Sequence, residues 1–299
     1  MTYGLSRAAC ALYDPSMYKR WIATFFALAI LVAGWFAGVQ LALAAEGEIG
    51  LGSGVTYTSG TYGSNAGGSA STHILTIPFS ARYERDAWTL RATLPYLRVE
   101  GPGNVIPGIG PVGTVATVGN ALGVPLLGAG TPSSQTSSKT VSGLGDASVA
   151  ATYMYYMAQK TMGIGLTGRI KFATGDETQA LGTGSTDKGL QLEAFRGVER
   201  NTFFGVAGYT FFGDSPIAQF QNVANFGLGA SHRTDTDDLF GITFDTRQAG
   251  TPAPAALREL SGFWTHAVNR NWRMQLYALK GFATGSPDWG AGLNAAYTF

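Results

Sequence analysis

The sequence contains little charge: Asp, Glu, Lys and Arg make up 13% of its 299 residues, whereas soluble domains average about 25%. Its one cysteine, Cys10, excludes an intrachain disulfide framework. The formal net charge is +1, so no basic excess favours nucleic acid as a partner. Hydrophobic residues, at 45%, and glycine, with 42 residues, are abundant instead. This composition suits a protein whose outer face avoids ions because it meets lipid.

Histidine, a common catalytic and metal-binding residue, is also scarce. The three histidines all fall at predicted strand ends or turns: His73, His232 and His266. A hydrolase needs a nucleophile and a base within hydrogen-bond reach, and no G-x-S-x-G motif occurs. Three aspartates lie close together but lack the spacing of a calcium loop: Asp235, Asp237 and Asp238. We therefore predict no catalytic residue, no metal site and no cofactor.

The C-terminal segment, residues 289–299, alternates apolar residues with small or polar ones. A period of two predicts a β-strand whose two faces meet different environments. A stretch of about 9–11 such residues with aromatics at both ends is typical of a transmembrane β-strand. The chain ends on Phe299, shortly after Tyr297. This aromatic ending looks like the C-terminal assembly signal of outer-membrane proteins, so we expect the barrel-assembly machinery as a partner.

Comparable alternating segments recur along residues 46–299, and short and long connections between them take turns. Because a strand edge cannot stay unpaired in lipid, the segments must close into a barrel. We predict an all-β fold, a closed antiparallel transmembrane β-barrel of about twelve strands. Short turns are expected on the periplasmic side and longer loops outside. The predicted location is the bacterial outer membrane, with its lipid as a partner.

The N-terminal residues 1–45 are predicted to be a signal peptide and not part of the fold. Lys19 and Arg20 precede an apolar run that ends in small residues before Glu46, which is the pattern of a secretory signal. The run is long enough to span a bilayer as a helix, so an uncleaved anchor is the alternative. A further hypothesis is that Met17 is the true start, because an ordinary charged n-region follows it.

Alternation also predicts which charged side chains face the barrel interior. The candidate lumen-lining set has both signs in near balance: Arg82, Glu84, Arg91, Asp146, Arg169, Lys171, Glu193, Asp245, Arg247, Glu259 and Arg273. In a structural interpretation, these charges pair with one another to offset the cost of their desolvation. In a functional interpretation, they line a weakly ion-selective channel. We expect Arg82 opposite Arg91, with Glu84 as the counter-charge. We also expect Arg169 near Glu193 on the neighbouring strand.

A long segment, residues 101–143, is rich in Gly, Pro, Ser and Thr and is predicted to be an extracellular loop. Residues 101–138 carry no charge, although loops longer than about 12–15 residues are usually functional or disordered. One interpretation is a disordered surface loop. The other is a lid over the outer mouth that captures apolar solutes through its aliphatic residues: Val105, Ile106, Ile109, Leu122, Leu126 and Leu127.

Five short motifs at predicted strand ends carry a resemblance to a known family: Gly143-Leu-Gly-Asp146, Phe172-Ala-Thr-Gly-Asp176, Gly182-Thr-Gly-Ser-Thr-Asp187, Phe211-Phe-Gly-Asp214 and Gly285-Ser-Pro-Asp-Trp-Gly290. In this order and spacing the chain resembles the MetA-pathway of phenol degradation family of outer-membrane proteins. The resemblance covers residues 143–299. It implies a barrel similar to channels proposed to pass aromatic or other apolar compounds, and it assigns no functional residues.

These observations predict an outer-membrane channel for passive uptake of small organic compounds, plausibly hydrophobic or aromatic. A plugged structural or adhesion barrel that acts through its outer loops is the main alternative. A barrel hydrolase is a further, less favoured one. The expected partners are outer-membrane lipid, the assembly machinery and a small organic solute.

Overall fold

A computed structural model describes residues 47–61, 71–102, 138–216, 220–250, 256–283 and 285–299. The signal-peptide prediction, with Met17 as the start, lies outside these residues. The strands are β1 (Glu48–Gly60), β2 (Thr72–Arg85), β3 (Trp88–Pro102), β4 (Ser138–Leu144), β5 (Ser148–Met157), β6 (Met162–Lys171), β7 (Asp187–Val198), β8 (Asn201–Phe211), β9 (Val223–Arg233), β10 (Leu239–Arg247), β11 (Leu257–Ala267), β12 (Trp272–Gly281) and β13 (Trp289–Thr298). Two 3-10 turns span Ala158–Lys160 and Glu177–Gln179. In the described part of the chain, no helix has the length and apolar character to span a membrane.

The strands form one antiparallel sheet that closes on itself. Each strand from β5 to β12 pairs with the next along the chain, β13 pairs with β1, and β1 pairs with β2 and β2 with β3. β4 and β5 both pair with β3, one after the other, so they share a single position in the wall. Thirteen strands therefore fill twelve wall positions, and the predicted closed barrel of about twelve strands is confirmed.

The fourth wall position is interrupted. Gly145, Asp146 and Ala147 separate β4 from β5. Tyr96 of β3 pairs with Leu144, whereas Thr93 pairs with Ser148, so the interrupted side holds one residue more than β3. An extra residue of this kind is a β-bulge, which bends the wall and redirects a side chain.

The long loop is shorter than its predicted bounds of 101–143. β3 extends to Pro102, and β4 starts at Ser138 and pairs with it. Val99 pairs with Val141 in register. This stretch therefore belongs to the wall, although its composition is typical of a turn. All six residues of the candidate lid lie between these strands, outside the described residues, so the lid stays a prediction.

The outward face of the wall is a band of exposed apolar side chains. Leu166 is 56% exposed, and many other large apolar residues share its outward orientation, among them Leu192, Leu228 and Ile242. Such a surface is unstable in water and favourable in a bilayer. Aromatic residues gather near the strand ends, for example Trp88 packed edge-on against Tyr153 with ring centroids 5.0 Å apart. The outward face therefore places the barrel in a membrane.

The C-terminal strand closes the barrel. β13 pairs with β12 on one side and β1 on the other. The backbone N–H of Phe299 donates to Ile49 O at 2.9 Å. The ring of Tyr297 packs against both Trp272 and Phe299, with centroids 5.2 and 4.8 Å away. Recognition of Tyr297 and Phe299 by an assembly machinery stays a prediction.

Candidate functional site

The inward face of the wall is where a channel would make contact with its solute. Residues that are paired in register on neighbouring strands lie on the same face of the wall. Thr58 with Gly290 and Thr76 with Leu97 are such pairs on the inward face. Many of its side chains are small or hydroxylated, and buried threonines recur on it, including Thr56, Thr152, Thr167 and Thr243. Side chains on this face alternate with the exposed apolar band, as a polar interior and an apolar exterior require.

Ten of the eleven residues in the candidate lumen-lining set lie on this inward face by register: Arg82, Glu84, Arg91, Arg169, Lys171, Glu193, Asp245, Arg247, Glu259 and Arg273. The other, Asp146, lies in the interruption between β4 and β5 and bonds inward to Lys171. Arg82 pairs in register with Arg91, and Glu84 forms an ion pair with Arg82. These last contacts are those expected for the hairpin.

Other members of the set are arranged differently from the expectation. Arg169 pairs in register with Gly189, while Glu193 pairs with Gly165, further along the same two strands. Arg169 and Glu193 are therefore not cross-strand partners. The reason is that β6 and β7 are offset so that Lys171 meets Asp187.

A buried ion network occupies the extracellular end of the lumen. The ammonium of Lys171 lies 2.6 Å from Asp146 Oδ2 and 2.8 Å from Asp187 Oδ2. It also donates to the hydroxyl of Thr183. Asp146 accepts from the backbone N–H of Gly175 at 2.9 Å and from that of Thr183 at 3.1 Å. Because every ionic group here has close partners, burial is offset by pairing.

This network fastens the connection between β6 and β7 to the barrel interior. Thr174 fills the interruption of the wall: its hydroxyl accepts from Ala147 N at 2.7 Å and donates to Gly145 O at 3.1 Å. Leu181 then inserts beside inward residues of β2 and β3, and only 2% of it stays exposed. Its apolar cluster contains Ile74, Leu97, Val99 and Val141. We call residues 172–186 the inward loop, because it narrows the extracellular end of the lumen.

Four of the five family-like motifs meet at this network. Asp146 ends the first motif, the second supplies Thr174 and Gly175, and the third supplies Thr183 and Asp187. The fourth motif supplies Gly213, whose N–H donates to Asp187 Oδ1 at 3.0 Å. The motifs therefore position the inward loop. In the fifth, Ser286 bonds the backbone of Arg258 on another part of the rim.

A set of aromatic side chains lines the lumen, and sequence reasoning missed it. The four rings lie on the inward face: Phe195, Phe204, Phe263 and Tyr277. Each ring occupies the space that a Cβ would take on a glycine of an adjacent strand. The glycines are Gly163, Gly229, Gly241 and Gly292, in the same order. Rings that cover glycines in this way lie along the wall.

The sequence contains a signal for these rings, because alternate residues of a strand lie on the same face. Phe195 lies on the same face of its strand as Gln191 and Glu193, and Tyr277 lies on the same face as Gln275. Aromatics in β-barrels are usually assigned to the membrane interface, which obscured this signal. The glycine partners could not be identified at all without the cross-strand register.

A second polar group lies on β10 and β11, opposite β3 and the shared β4/β5 position in the twelve-position order. Asp245 of β10 and Glu259 of β11 pair directly in register, and both are almost fully buried. Asp245 Oδ1, Glu259 Oε1 and the hydroxyl of Ser261 have no hydrogen-bond partner among the described residues. Within that same part of the chain, Nε and Nη1 of Arg247 also lack one. We call Asp245, Glu259 and Ser261 the carboxylate patch.

The three aspartates that lack calcium-loop spacing occupy the turn between β9 and β10. Asp235 pairs with Arg200, and Asp237 lies 3.6 Å from Arg233. Asp238 Oδ1 lies 2.6 Å from Nδ1 of His266, whose hydrogen bond lowers the pKa of the Asp238 carboxyl. These contacts fix a solvated turn at the end of the barrel that also carries the C-terminus. In the described ranges, no group of three or more His, Cys, Asp or Glu side chains could hold a metal ion.

Comparisons with known proteins support the fold. No family model matches the sequence, and no curated protein matches it. The crystal structure of an outer membrane channel from Pseudomonas putida F1 is similar over 85% of this chain and 96% of its own, with 14% identity and a TM-score of 0.61. The beta domain of a Bordetella autotransporter is similar over 85% of this chain and 100% of its own, with 10% identity and a TM-score of 0.51. At these identities the likeness concerns the fold.

The architecture defines the class of protein. A closed antiparallel barrel with an apolar outer band, a polar interior, and short turns at one end is the form of bacterial outer-membrane proteins. The chain is such a barrel, located in the outer membrane. The resemblance to the MetA-pathway of phenol degradation family stays a prediction.

Proposed function

We propose that this barrel is a non-enzymatic channel for passive uptake of small aromatic or other apolar compounds across the outer membrane. The observation that carries the proposal is the set of four lumenal rings that cover glycines. A hydrated ion presents no apolar surface that could pack against such rings. A flat aromatic solute gains offset-stacked or edge-on contacts with them.

The inward loop adds selection by size. It is held by Lys171 and Leu181, so the extracellular end of the lumen is narrow where solutes enter. A barrel of this strand number leaves a lumen that side chains largely fill. Small, flat solutes are therefore favoured over bulky hydrated ones.

The test is uptake of 2-phenylethanol, compared with a pentose of similar mass, by bacterial cells that lack their general porins. We expect the barrel to raise uptake of the aromatic solute more than uptake of the pentose. Intact cells are needed because their outer leaflet slows direct diffusion of apolar solutes through the lipid. Equal gains for both solutes would indicate a general pore. No gain for either would favour the plugged structural or adhesion barrel.

Two adjacent phenylalanines provide a matched pair of variants. Phe204 is a lumenal ring, whereas Phe203 faces lipid and is exposed. Because one aromatic contact contributes about 0.5–1.5 kcal/mol, Phe204→Ala should lower the ratio of aromatic to pentose uptake roughly two- to tenfold. Phe203→Ala should leave that ratio near the wild-type value. An equal effect of both variants would remove the rings from the mechanism.

A further inference from the structure

We propose that the carboxylate patch is a binding site for the protonated amine of an aromatic solute. The channel would then favour aromatic amines over neutral or acidic compounds of the same shape. This inference rests on the proposed function, because it names the solute class that the same lumen prefers.

The patch is compact and points into the lumen. Asp245 and Glu259 are directly opposed on β10 and β11, and Ser261 follows Glu259 on the same face. Side chains opposed in this way have Cβ atoms about 4.5–5.5 Å apart. Exposure is 3% for Asp245 and 2% for both Glu259 and Ser261. One oxygen of each side chain is buried without a hydrogen-bond partner among the described residues.

Such an arrangement is unfavourable for a purely structural group. Like charges directly opposed across two strands destabilise a sheet, and a buried acceptor without a partner costs about 1–3 kcal/mol. Arg247 lies on the same face of β10 as Asp245, and its Nε and Nη1 have no hydrogen-bond partner among the described residues. One guanidinium also balances only one of two carboxylates. The second carboxylate must therefore be neutralised by a proton or by a bound cation.

The number and type of the free atoms match an ammonium group. A primary ammonium has three donors and no acceptor. Asp245 Oδ1, Glu259 Oε1 and the Ser261 hydroxyl oxygen supply three acceptors on two adjacent strands. A carboxylate solute would instead face two like charges. A hydroxyl solute could donate to only one of the three.

The aromatic body of the solute has a place beside the patch. Phe263 follows Ser261 on the inward face of β11, and Tyr277 pairs with Phe263 from β12. Both rings are seated on glycines. An amine held at the patch thus has two lumenal rings within the length of a short linker. The same rings can also interact with the cation through their faces.

The experiment measures binding of three solutes of nearly equal shape to the purified, folded barrel by calorimetry: 2-phenylethylamine as its hydrochloride, 2-phenylethanol and phenylacetate. Hydrogen bonds to charged groups are the stronger ones, so we expect the amine to bind at least about tenfold more tightly than the alcohol. Phenylacetate should bind most weakly. An amine affinity no greater than that of the alcohol would overturn the proposal.

Variants locate the effect at the patch. The double variant Asp245→Asn, Glu259→Gln keeps shape and removes charge, so the affinity ratio of amine to alcohol should fall toward one. Asp214→Asn removes a carboxylate of an exposed loop and should keep the wild-type ratio. If the double variant does not fold, Asp245→Asn and Glu259→Gln are measured singly. A ratio unaffected by loss of these carboxylates would overturn the assignment.

Two further outcomes separate this inference from the proposed function. If 2-phenylethanol is taken up by cells but the amine shows no advantage in binding, only the amine site is wrong. If uptake of 2-phenylethanol fails, the channel proposal fails whatever the amine does. Ammonium chloride serves as a competitor without a ring. Displacement of the amine by equimolar ammonium ion would show a simple cation site and contradict the aromatic part of the proposal.

Discussion

The lumen contains two buried groups with two carboxylates each, and they differ in how completely the carboxylates are paired. Asp146 and Asp187 share the ammonium of Lys171 and receive N–H donors from Gly175, Thr183 and Gly213. The carboxylate patch, in contrast, keeps free oxygens among the described residues. The first group joins a loop to the wall, whereas the second lies on regular strands that need no fastening.

This difference suggests how to distinguish charged groups that stabilise a barrel from charged groups that bind a solute. A paired cluster contributes to stability only while it is complete, since removal of one member leaves a buried charge without a partner. An unpaired cluster lowers stability, and its acceptors stay unsatisfied until a ligand or a proton occupies them. The predictions below concern this contrast.

The largest effect is expected for Lys171→Met, which leaves Asp146 and Asp187 buried without their cation. Breaking a buried pair in this way destabilises by about 3–5 kcal/mol. The measurement is the free energy of unfolding of the refolded barrel in lipid vesicles, by urea titration. Lys188→Met, one residue after Asp187 and exposed on the outward face, is the control and should have little effect. Equal losses for the two lysines would contradict a special role for the network.

The apolar end of the inward loop should come next. Leu181→Ala removes the side chain that packs on Ile74, Leu97 and Val99, and such core truncations cost about 2–5 kcal/mol. The value should lie at the lower end, because a loop can partly collapse into the space. The variant should also widen the entrance and raise single-channel conductance in planar bilayers. Leu190→Ala, which faces lipid, is the control. Unchanged conductance would show that Leu181 does not narrow the lumen.

A much smaller effect on stability is expected at the carboxylate patch. Replacing opposed, unpaired carboxylates by Asn and Gln relieves repulsion, so Asp245→Asn with Glu259→Gln should change the unfolding free energy by less than about 1 kcal/mol or increase it. The same urea titration measures it. A loss as large as that of Lys171→Met would make the patch structural and weaken the contrast.

The smallest effect concerns pH at Asp176, which accepts four hydrogen bonds from Thr178 and Gln179 in the inward loop. The side-chain bond from Thr178 is the largest cause that lowers the pKa of this carboxyl, followed by that from Gln179. The ionised form therefore stabilises the turn at neutral pH, and this contribution is lost as pH falls through the lowered pKa. The NMR shifts of the Thr178 and Gln179 amide protons should titrate below the ordinary aspartate value of about 3.9. A midpoint at or above that value would contradict the capping role.

The barrel could be predicted from sequence because its cause is local. A period of two, read along one strand, fixes which side chains face lipid, and the strand count follows from the number of such segments. The same reasoning placed Arg82 opposite Arg91, since a tight turn sets the register of a hairpin. It failed for Arg169 and Glu193, because the register of β6 and β7 is set by the long inward loop between them.

The site was less predictable for the same reason. The network of Lys171, Asp146 and Asp187 needs a bulge in the wall and a loop that folds inward, and neither leaves a periodic signal. The lumenal rings are hidden in two ways. Three of them lie on the polar face of their strand: Phe195, Phe263 and Tyr277. The other, Phe204, lies in a strand that is apolar on both faces. The glycines that these rings cover lie on other strands. Nothing in one strand alone reveals a partner that only cross-strand pairing brings close.

The seating of rings on glycines also has a consequence for how this sequence can change in evolution. Phe204 and Gly229, or Tyr277 and Gly292, form units of two residues divided between adjacent strands. A side chain at the glycine would collide with the ring, while loss of the ring would leave the glycine bare, so single changes are selected against. Related sequences should therefore change both positions together. Correlated substitution at these pairs, stronger than at lipid-facing pairs such as Leu166 and Leu192, would show that each ring and its glycine are retained together.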